Sequence, residues 1–255
     1  MRVPAAPATW EARLQQTLIS RGKARDAVEL ASRYASMFPP AYRAEVEPAQ
    51  ALDDIEDLEA LAADPAVPQL NLRPQAGGPS NHVNLRILRA GGLIPISDIL
   101  PMLENFGLRV LEEHNWAMTV GDTGVVIQNF VLEARDLKRA DFAALEALFR
   151  EGFFAAWRGE IENDGFNRLL LCASLSAREI VMLRACCRYL LQTGIPFSQA
   201  YMERVAVAEA PITRMLVRLF ETQFAPDIKG RDRAAQRIRQ SILPGLHRGA
   251  SLDED

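Results

Sequence analysis

The feature that most constrains this chain is a double change of hydrophobic period. Up to residue 62 the apolar residues recur every three or four positions. Over residues 83–132 they fall largely at alternate positions, and beyond residue 136 they return to the helical spacing. A helix-period stretch cannot sit in a half-buried sheet, nor a strand-period stretch on a helix, because one face would carry the wrong residues. Strands grouped in one block, with helices on either side, imply an α+β chain.

Each block reads in more detail. Trp10, Leu14 and Leu18 mark a first helix, Gly22 breaks it, and Val28, Ala31 and Ala35 continue an apolar side until Phe38-Pro39-Pro40. A second helix starts near Pro48, with Leu52, Ile55, Leu58 and Leu61 or Ala62 as its stripe. Its Asp53, Asp54, Glu56, Asp57 and Glu59 read as a solvated face, since one helix face builds no metal cage. Residues 63–81 hold Pro65, Pro68, Pro74, Pro79, Gly77 and Gly78 and read as a linker, with Leu70–Leu72 a candidate short strand.

In the strand block, Val83, Leu85 and Ile87 alternate with Asn84, Arg86 and Leu88. Gly91-Gly92 turns the chain, Ser97 can cap a helix over Asp98–Phe106, and Gly107 can end it. Extended runs follow from Leu108, over Trp116–Val120 and over Val125–Leu132, with a hairpin at Gly121-Asp122-Thr123-Gly124. A long helix is expected over Asp136–Trp157, giving a small sheet with helices on one face. From Gly159 the chain is helical: Ser176-Ala177-Arg178-Glu179 is a capping box, Ser198 caps the next helix, and Pro211–Phe224 is another. Arg231–Ile242 reads as helix or frayed tail, and Gly249–Asp255 as loose. The cuts fall at 1–80, 81–158 and 159–255.

Several functions are excluded by what the chain lacks. Its 29 basic and 33 acidic residues give a net charge of −4, and aromatics are 7%, so neither a positive field nor a stacking platform for nucleic acid is present. No window of eighteen apolar residues exists to cross a membrane, and the start MRVPAAPATW has no secretory apolar core. The localisation expected is cytoplasmic. Cys172, Cys186 and Cys187 form no disulfide framework and read as small buried hydrophobes in helices. His82, His114 and His247 lack metal spacing. Neither Gly-x-Gly-x-x-Gly nor a phosphate loop with Lys occurs, so no cofactor or metal site is expected.

Two polar constellations remain. Arg158, Glu160, Glu162, Asn163, Asp164, Asn167 and Arg168 lie between a helix end and the next apolar run. The Asn and Asp residues can cap helices or hold a turn, and the group as a whole is a candidate interdomain contact. His114 with Glu112 and Glu113 forms a second group, a weaker candidate for a ligand at the sheet edge. No catalytic residue is assigned.

Longer strings add a resemblance. Ile96-Ser97-Asp98-Ile99-Leu100-Pro101-Met102-Leu103-Glu104-Asn105-Phe106-Gly107-Leu108-Arg109-Val110 resembles a signature of the large bacterial NAD-specific glutamate dehydrogenases. Phe38-Pro39-Pro40-Ala41-Tyr42-Arg43, the run Trp157–Arg168 and Pro196-Phe197-Ser198-Gln199-Ala200-Tyr201 are similar to the same family and occur in the expected order. The resemblance implies an ACT-like, mostly antiparallel sheet with helices, flanked by an N-terminal helical segment and a C-terminal all-helical region. It implies a non-catalytic structural or regulatory part of an enzyme that oxidises L-glutamate to 2-oxoglutarate and ammonia. NAD would be held by the catalytic part further on, not by this segment. The partners implied are that catalytic region or further copies of the chain in an oligomer, with an amino-acid effector as a further candidate. Lys138 and Lys229 match no catalytic motif of the family. The turn Leu88-Arg89-Ala90-Gly91-Gly92 departs from the family's pattern. The alternative is a stand-alone amino-acid-sensing or interaction module without enzymatic activity.

Overall fold

Two prolines open helices early in the chain, where a missing N–H costs nothing. Pro40 starts α3 (Pro40–Glu45), and Pro48 starts α4 (Pro48–Ala63). A computed structural model of the chain describes residues 8–22, 27–134, 137, 142–224 and 230–249. Before α3 come α1 (Trp10–Ser20), capped by the Thr9 side chain, and α2 (Ala27–Met37). After α4 the chain runs β1 (Gln69–Pro74), β2 (His82–Ala90), α5 (Ile96–Asn105), β3 (Leu108–Val120) and β4 (Thr123–Ala134). It continues with α6 (Phe142–Trp157), a 3-10 turn (Gly165–Arg168), α7 (Leu169–Ala173), α8 (Ala177–Gln192), α9 (Gln199–Ala208), α10 (Ala210–Phe224) and α11 (Arg231–Gly249).

The fold is α+β, as expected: a four-stranded antiparallel, ACT-like sheet with helical segments before and after it. The stretch 63–81 holds a strand of six residues, β1, longer than the Leu70–Leu72 piece expected. Arg231–Gly249 is helix rather than a frayed tail. The expected helix start at Asp136, the lysines Lys138 and Lys229, the side chain of His247 and the terminal Ser251–Asp255 lie outside the described residues.

By contacts the chain divides into two units that interleave in sequence. The first takes residues up to Ala76 with Val83–Pro95 and Val110–Leu132, and so holds α1–α4 and nearly all of the sheet. The second takes Gly77–His82, Ile96–Arg109 and the chain from Glu133 on, and so holds α5–α11.

In the first unit the strand order is β1-β2-β4-β3. Gly121 has φ +60°, which suits a tight two-residue turn between β3 and β4. The β1/β2 register is explicit: Asn71 lies opposite Arg86 and Arg73 opposite Asn84. Period 2 then sends Leu70 and Leu72 with Val83, Leu85 and Ile87 to one face, all buried, and Asn71, Arg73, Asn84 and Arg86 to the other. Along β4, Val125–Leu132 are buried at every position, so this strand departs from the expected sheet with only one covered face. Its buried Gln128 is satisfied by both backbone groups of Ile94, at 2.7 and 3.1 Å.

An apolar core joins α1, α2 and α4 to the strands through Leu14, Leu18, Leu58, Leu88, Met118 and Ile127. Within α2 the buried residues are Ala27, Ala31, Tyr34 and Ala35, whereas Val28, expected on that side, is exposed. An aromatic group pins α3 in place: Phe38 stacks on Tyr42 at 4.1 Å, Tyr42 meets the edge of Trp116 at 5.2 Å, and Trp10 Nε1 donates to the Val46 carbonyl.

In the second unit the core is built around Phe106, Phe149 and Phe153. Gly107 ends α5 with φ +80°, and the stem of Arg168 lies where a side chain would point. Gly152 on α6 leaves room for Leu170, whose Cδ1 would be 2.5 Å from an added Cβ. The Ser176–Glu179 capping box forms as read from the sequence. Cys172 and Cys187 are buried, but Cys186 is exposed: neighbours on a helix point about 100° apart, so only one of the pair can face the core.

Candidate functional site

Helix α4 carries two stripes. Leu52, Ile55, Leu58 and Leu61 are buried in the helical core. Gln50, Asp53, Asp54 and Asp57, at i, i+3, i+4 and i+7, form the second stripe one step round. Asp53, Asp54, Glu56, Asp57 and Glu59 were expected to face solvent, and Glu56 and Glu59 do. Instead Asp54 is completely buried, and the acidic stripe lies over the polar face of β1 and β2. Asp53 pairs with Arg73, Asp54 with Arg86, and Asp57 accepts from the Asn71 amide. The strand register spaces these three contacts along the helix. β2 presents Asn84 and Arg86 on the face where a helix packs, so the helix needs carboxylates there to compensate the largely buried guanidinium.

Arg86 is the centre of the site. Its Nη1 donates to Asp54 Oδ2, its Nε donates to Asn129 Oδ1 at 3.1 Å, and its guanidinium lies 6.0 Å from the ring centre of Trp116. The Tyr42 hydroxyl donates to the same Oδ2 of Asp54. Burial, opposed by the Arg86 charge, pushes the Asp54 carboxyl above the usual range. Burial and the adjoining carboxylate also push the Tyr42 phenol upward, so it stays a hydrogen-bond donor. Burial acts to lower the Arg86 pKa, but Asp54 outweighs it and the guanidinium stays charged. Asp54 Oδ1 and Asn84 Oδ1 are buried and accept no hydrogen bond.

Two cavities adjoin Arg86 in the same unit. One, of about 190 Å³, is lined by Gln50, Asp53, Asp54, Arg73, Asn84 and Arg86 among others. The second, of about 320 Å³, shares Gln50, Asn84 and Arg86 and adds Glu45, His114 and Trp116. His114, expected at a strand end, sits within β3, with Nδ1 3.1 Å from Glu45 and Nε2 3.3 Å from Glu112. The ring lies over Trp116 at 6.2 Å. Glu113 turns to the Gln128 amide instead.

The other predicted constellation lies in the second unit and divides in two. Arg158 and Glu160 form an exposed pair at 2.6 Å, and their hydrogen bond holds the Glu160 carboxyl below its usual value. Glu162, Asp164 and Asn167 converge on Arg184, which the sequence did not single out and which is 2% exposed. Asp164 accepts Arg184 Nε at 2.7 Å and Nη2 at 2.8 Å, the Phe166 N–H at 3.1 Å and the Gln199 amide at 3.2 Å. Glu162 also pairs with Arg188 at 2.8 Å. Asn163 accepts from the Asn105 amide through its carbonyl, and Arg168 packs along Gly107. Among the described residues no group of three or more potential metal ligands converges. No described helix is long and apolar enough to cross a membrane.

Three family models match the chain. Helical motif 2 of glutamate dehydrogenase matches residues 19–61, its ACT3 domain matches 68–145, and its helical motif 3 matches 161–226. They occur in this order and cover most of the chain. The chain belongs to the NAD-specific glutamate dehydrogenase family. A glutamate dehydrogenase of this kind from Halomonas elongata is 35% identical over 89% of this chain, and one from Mycobacterium tuberculosis is 33% identical over 98% of it. One from Pseudomonas aeruginosa is 32% identical over 86% of the chain. The chain spans only 14–16% of the length of these glutamate dehydrogenases. Tyr42, in one of the strings that carried the resemblance, is the residue that hydrogen-bonds Asp54, and Asp164 and Asn167, in another, hold Arg184.

Proposed function

We propose that the chain is the non-catalytic, ACT3-bearing segment of an NAD-dependent glutamate dehydrogenase, acting as a structural and regulatory part. The observation that carries this reading is the ordered match to helical motif 2, ACT3 and helical motif 3. The whole enzyme would transfer hydride from the α-carbon of L-glutamate to NAD and release 2-oxoglutarate and ammonia. The nicotinamide accepts that hydride, in a part of the enzyme outside this segment. The strand-to-helix junction between β2 and α5 supports placing NAD elsewhere. It carries Gly91-Gly92 in place of the Gly-x-Gly-x-x-Gly run that closes on a pyrophosphate at the start of a helix.

The partners of this segment would be the catalytic region or further copies of the chain. Exposed Tyr189, Phe197, Phe220 and Phe224 in the second unit support contact with protein. The test is glutamate-dependent NADH formation by the purified 255-residue chain. The expected rate equals background, and turnover above background would overturn the non-catalytic reading.

A further inference from the structure

The second unit carries a strongly basic surface in a chain whose net charge is −4. Residues 210–249 hold eight basic and three acidic residues. Helices α10 and α11 run antiparallel. A side chain at Gly245, late in α11, would touch Ile212, early in α10, and Arg231 donates to the Gln223 carbonyl at 3.4 Å. Ile212, Val217, Ala235 and Ile242 are buried, and six arginines are exposed: Arg214, Arg218, Arg231, Arg233, Arg237 and Arg239. Elsewhere on the surface Arg13, Arg33, Arg158 and Arg188 each face a carboxylate. Among the described residues, Arg214, Arg218, Arg233 and Arg237 face none. Glu221 and Asp232 are the only carboxylates on α10 and α11, too few to cancel six guanidinium charges.

Helical spacing gathers four of these arginines. Arg239 donates to Gln223 Oε1 at 3.2 Å, which marks one side of the helix pair. At about 100° per residue, Arg214 and Arg218 lie about 180° and 140° round α10 from Gln223. Arg233 and Arg237 lie about 120° and 160° round α11 from Arg239. All four therefore share the opposite side, as two i, i+4 pairs, each about 6 Å apart along its helix.

We propose that this side is a docking surface for an acidic helical segment of a protein, with carboxylates at four-residue spacing. Such carboxylates repeat with the same rise of about 6 Å, and each can take two N–H groups of a guanidinium fork. A membrane surface would take apolar and basic side chains from one side. Phe220 and Phe224 instead lie about 160° and 120° round α10 from Arg218. The same separation keeps these rings away from the arginines, where nucleic-acid bases would need them for stacking. The proposal rests on the geometry of the second unit and not on the family reading, so it can fail while that reading stands.

The experiment is a fluorescence-anisotropy titration of the full chain against a labelled, alanine-rich peptide of about 20 residues with glutamate at every fourth position. Saturable binding is expected at low salt, weakening at least about tenfold between about 0.05 and 0.5 M sodium chloride. A peptide of the same composition with its glutamates in one block should bind at least about threefold more weakly. Arg218→Gln with Arg237→Gln, checked for folding by circular dichroism, should weaken binding about tenfold. Arg231→Gln with Arg239→Gln removes the same charge outside that side and should change binding less than about twofold. No saturable binding, no salt dependence, equal affinity for the two peptides or equal loss in the two double variants would overturn the proposal. So would tighter binding of a thymidine oligonucleotide of equal charge, which would assign the face to a polyphosphate. Tighter binding of phosphatidylglycerol vesicles would overturn it in favour of a membrane.

Discussion

Each unit buries one arginine against one aspartate, and the two carboxylates are used differently. Asp164, with Arg184, accepts two bonds on each oxygen, from Phe166 and Arg184 on one and from Arg184 and Gln199 on the other. That fills about all of the four acceptor positions a carboxylate has. Asp54, with Arg86, takes both of its bonds, from Tyr42 and Arg86, on a single oxygen and none on the other. The first arrangement ties the 3-10 turn to α8 and α9 and leaves Asp164 nothing further to bind. The second leaves one carboxylate oxygen buried without a hydrogen bond, which costs burial energy. Both pairs leave one buried polar atom without a hydrogen bond: Nη1 of the arginine in the Arg184 pair, and Oδ1 of the carboxylate in the Arg86 pair.

The comparison can be broken by removing each arginine. Arg184→Met should cost about 3–5 kcal/mol, the usual penalty for stranding one member of a buried pair, read as a lowered midpoint in urea unfolding. A loss below about 1 kcal/mol would mean that Asp164 is held well enough by Phe166 and Gln199 alone. Arg86→Met should cost a comparable amount at pH 7, but its loss should depend on pH. Asp54 already has a raised pKa through burial, and without Arg86 it rises further. The folded state then keeps a proton that the unfolded chain releases above its ordinary value of 3.8, so stability falls as pH rises past that point. The penalty should therefore shrink when unfolding is measured below about pH 4. A penalty independent of pH would show that Asp54 is not the group left stranded. The smallest effect should come from the exposed pair in the second unit: Arg158→Ala should leave the unfolding midpoint unchanged within error, because solvent screens that contact.

Much of the fold was legible in the residues. The α4 stripe of Leu52, Ile55 and Leu58, the alternation of Val83, Leu85 and Ile87, the Gly107 helix end and the Ser176–Glu179 box all formed as read. These are local signals, decided within one or two turns of chain. The candidate site was not legible, because its partners are far apart in sequence. Arg86 lies 32 residues from Asp54 and 43 from Asn129. Asp53, Asp54 and Asp57 look like a solvated face as long as nothing says which surface the helix meets. One signal was available: a polar stripe of Gln50, Asp53, Asp54 and Asp57 beside an apolar stripe at 52, 55, 58 and 61 gives one helix two ordered faces. The same holds for Arg184. The residues Glu162, Asp164 and Asn167 stood out as a polar group, while the arginine that gathers them sits in the middle of a helix, 17–22 residues on.

The sequence by itself determined the period of most segments, hence which of those are helix and which are strand, and the order of strings that marks the family. Those depend on side-chain spacing against a fixed backbone repeat. Only the tertiary structure decided which face of α4 meets the sheet, which of the adjacent Cys186 and Cys187 is buried, and which carboxylate oxygen goes unpaired. Each of these follows from a strand register and a helix packing between residues tens of positions apart, and a one-residue shift in that register would reverse every polar and apolar face it sets.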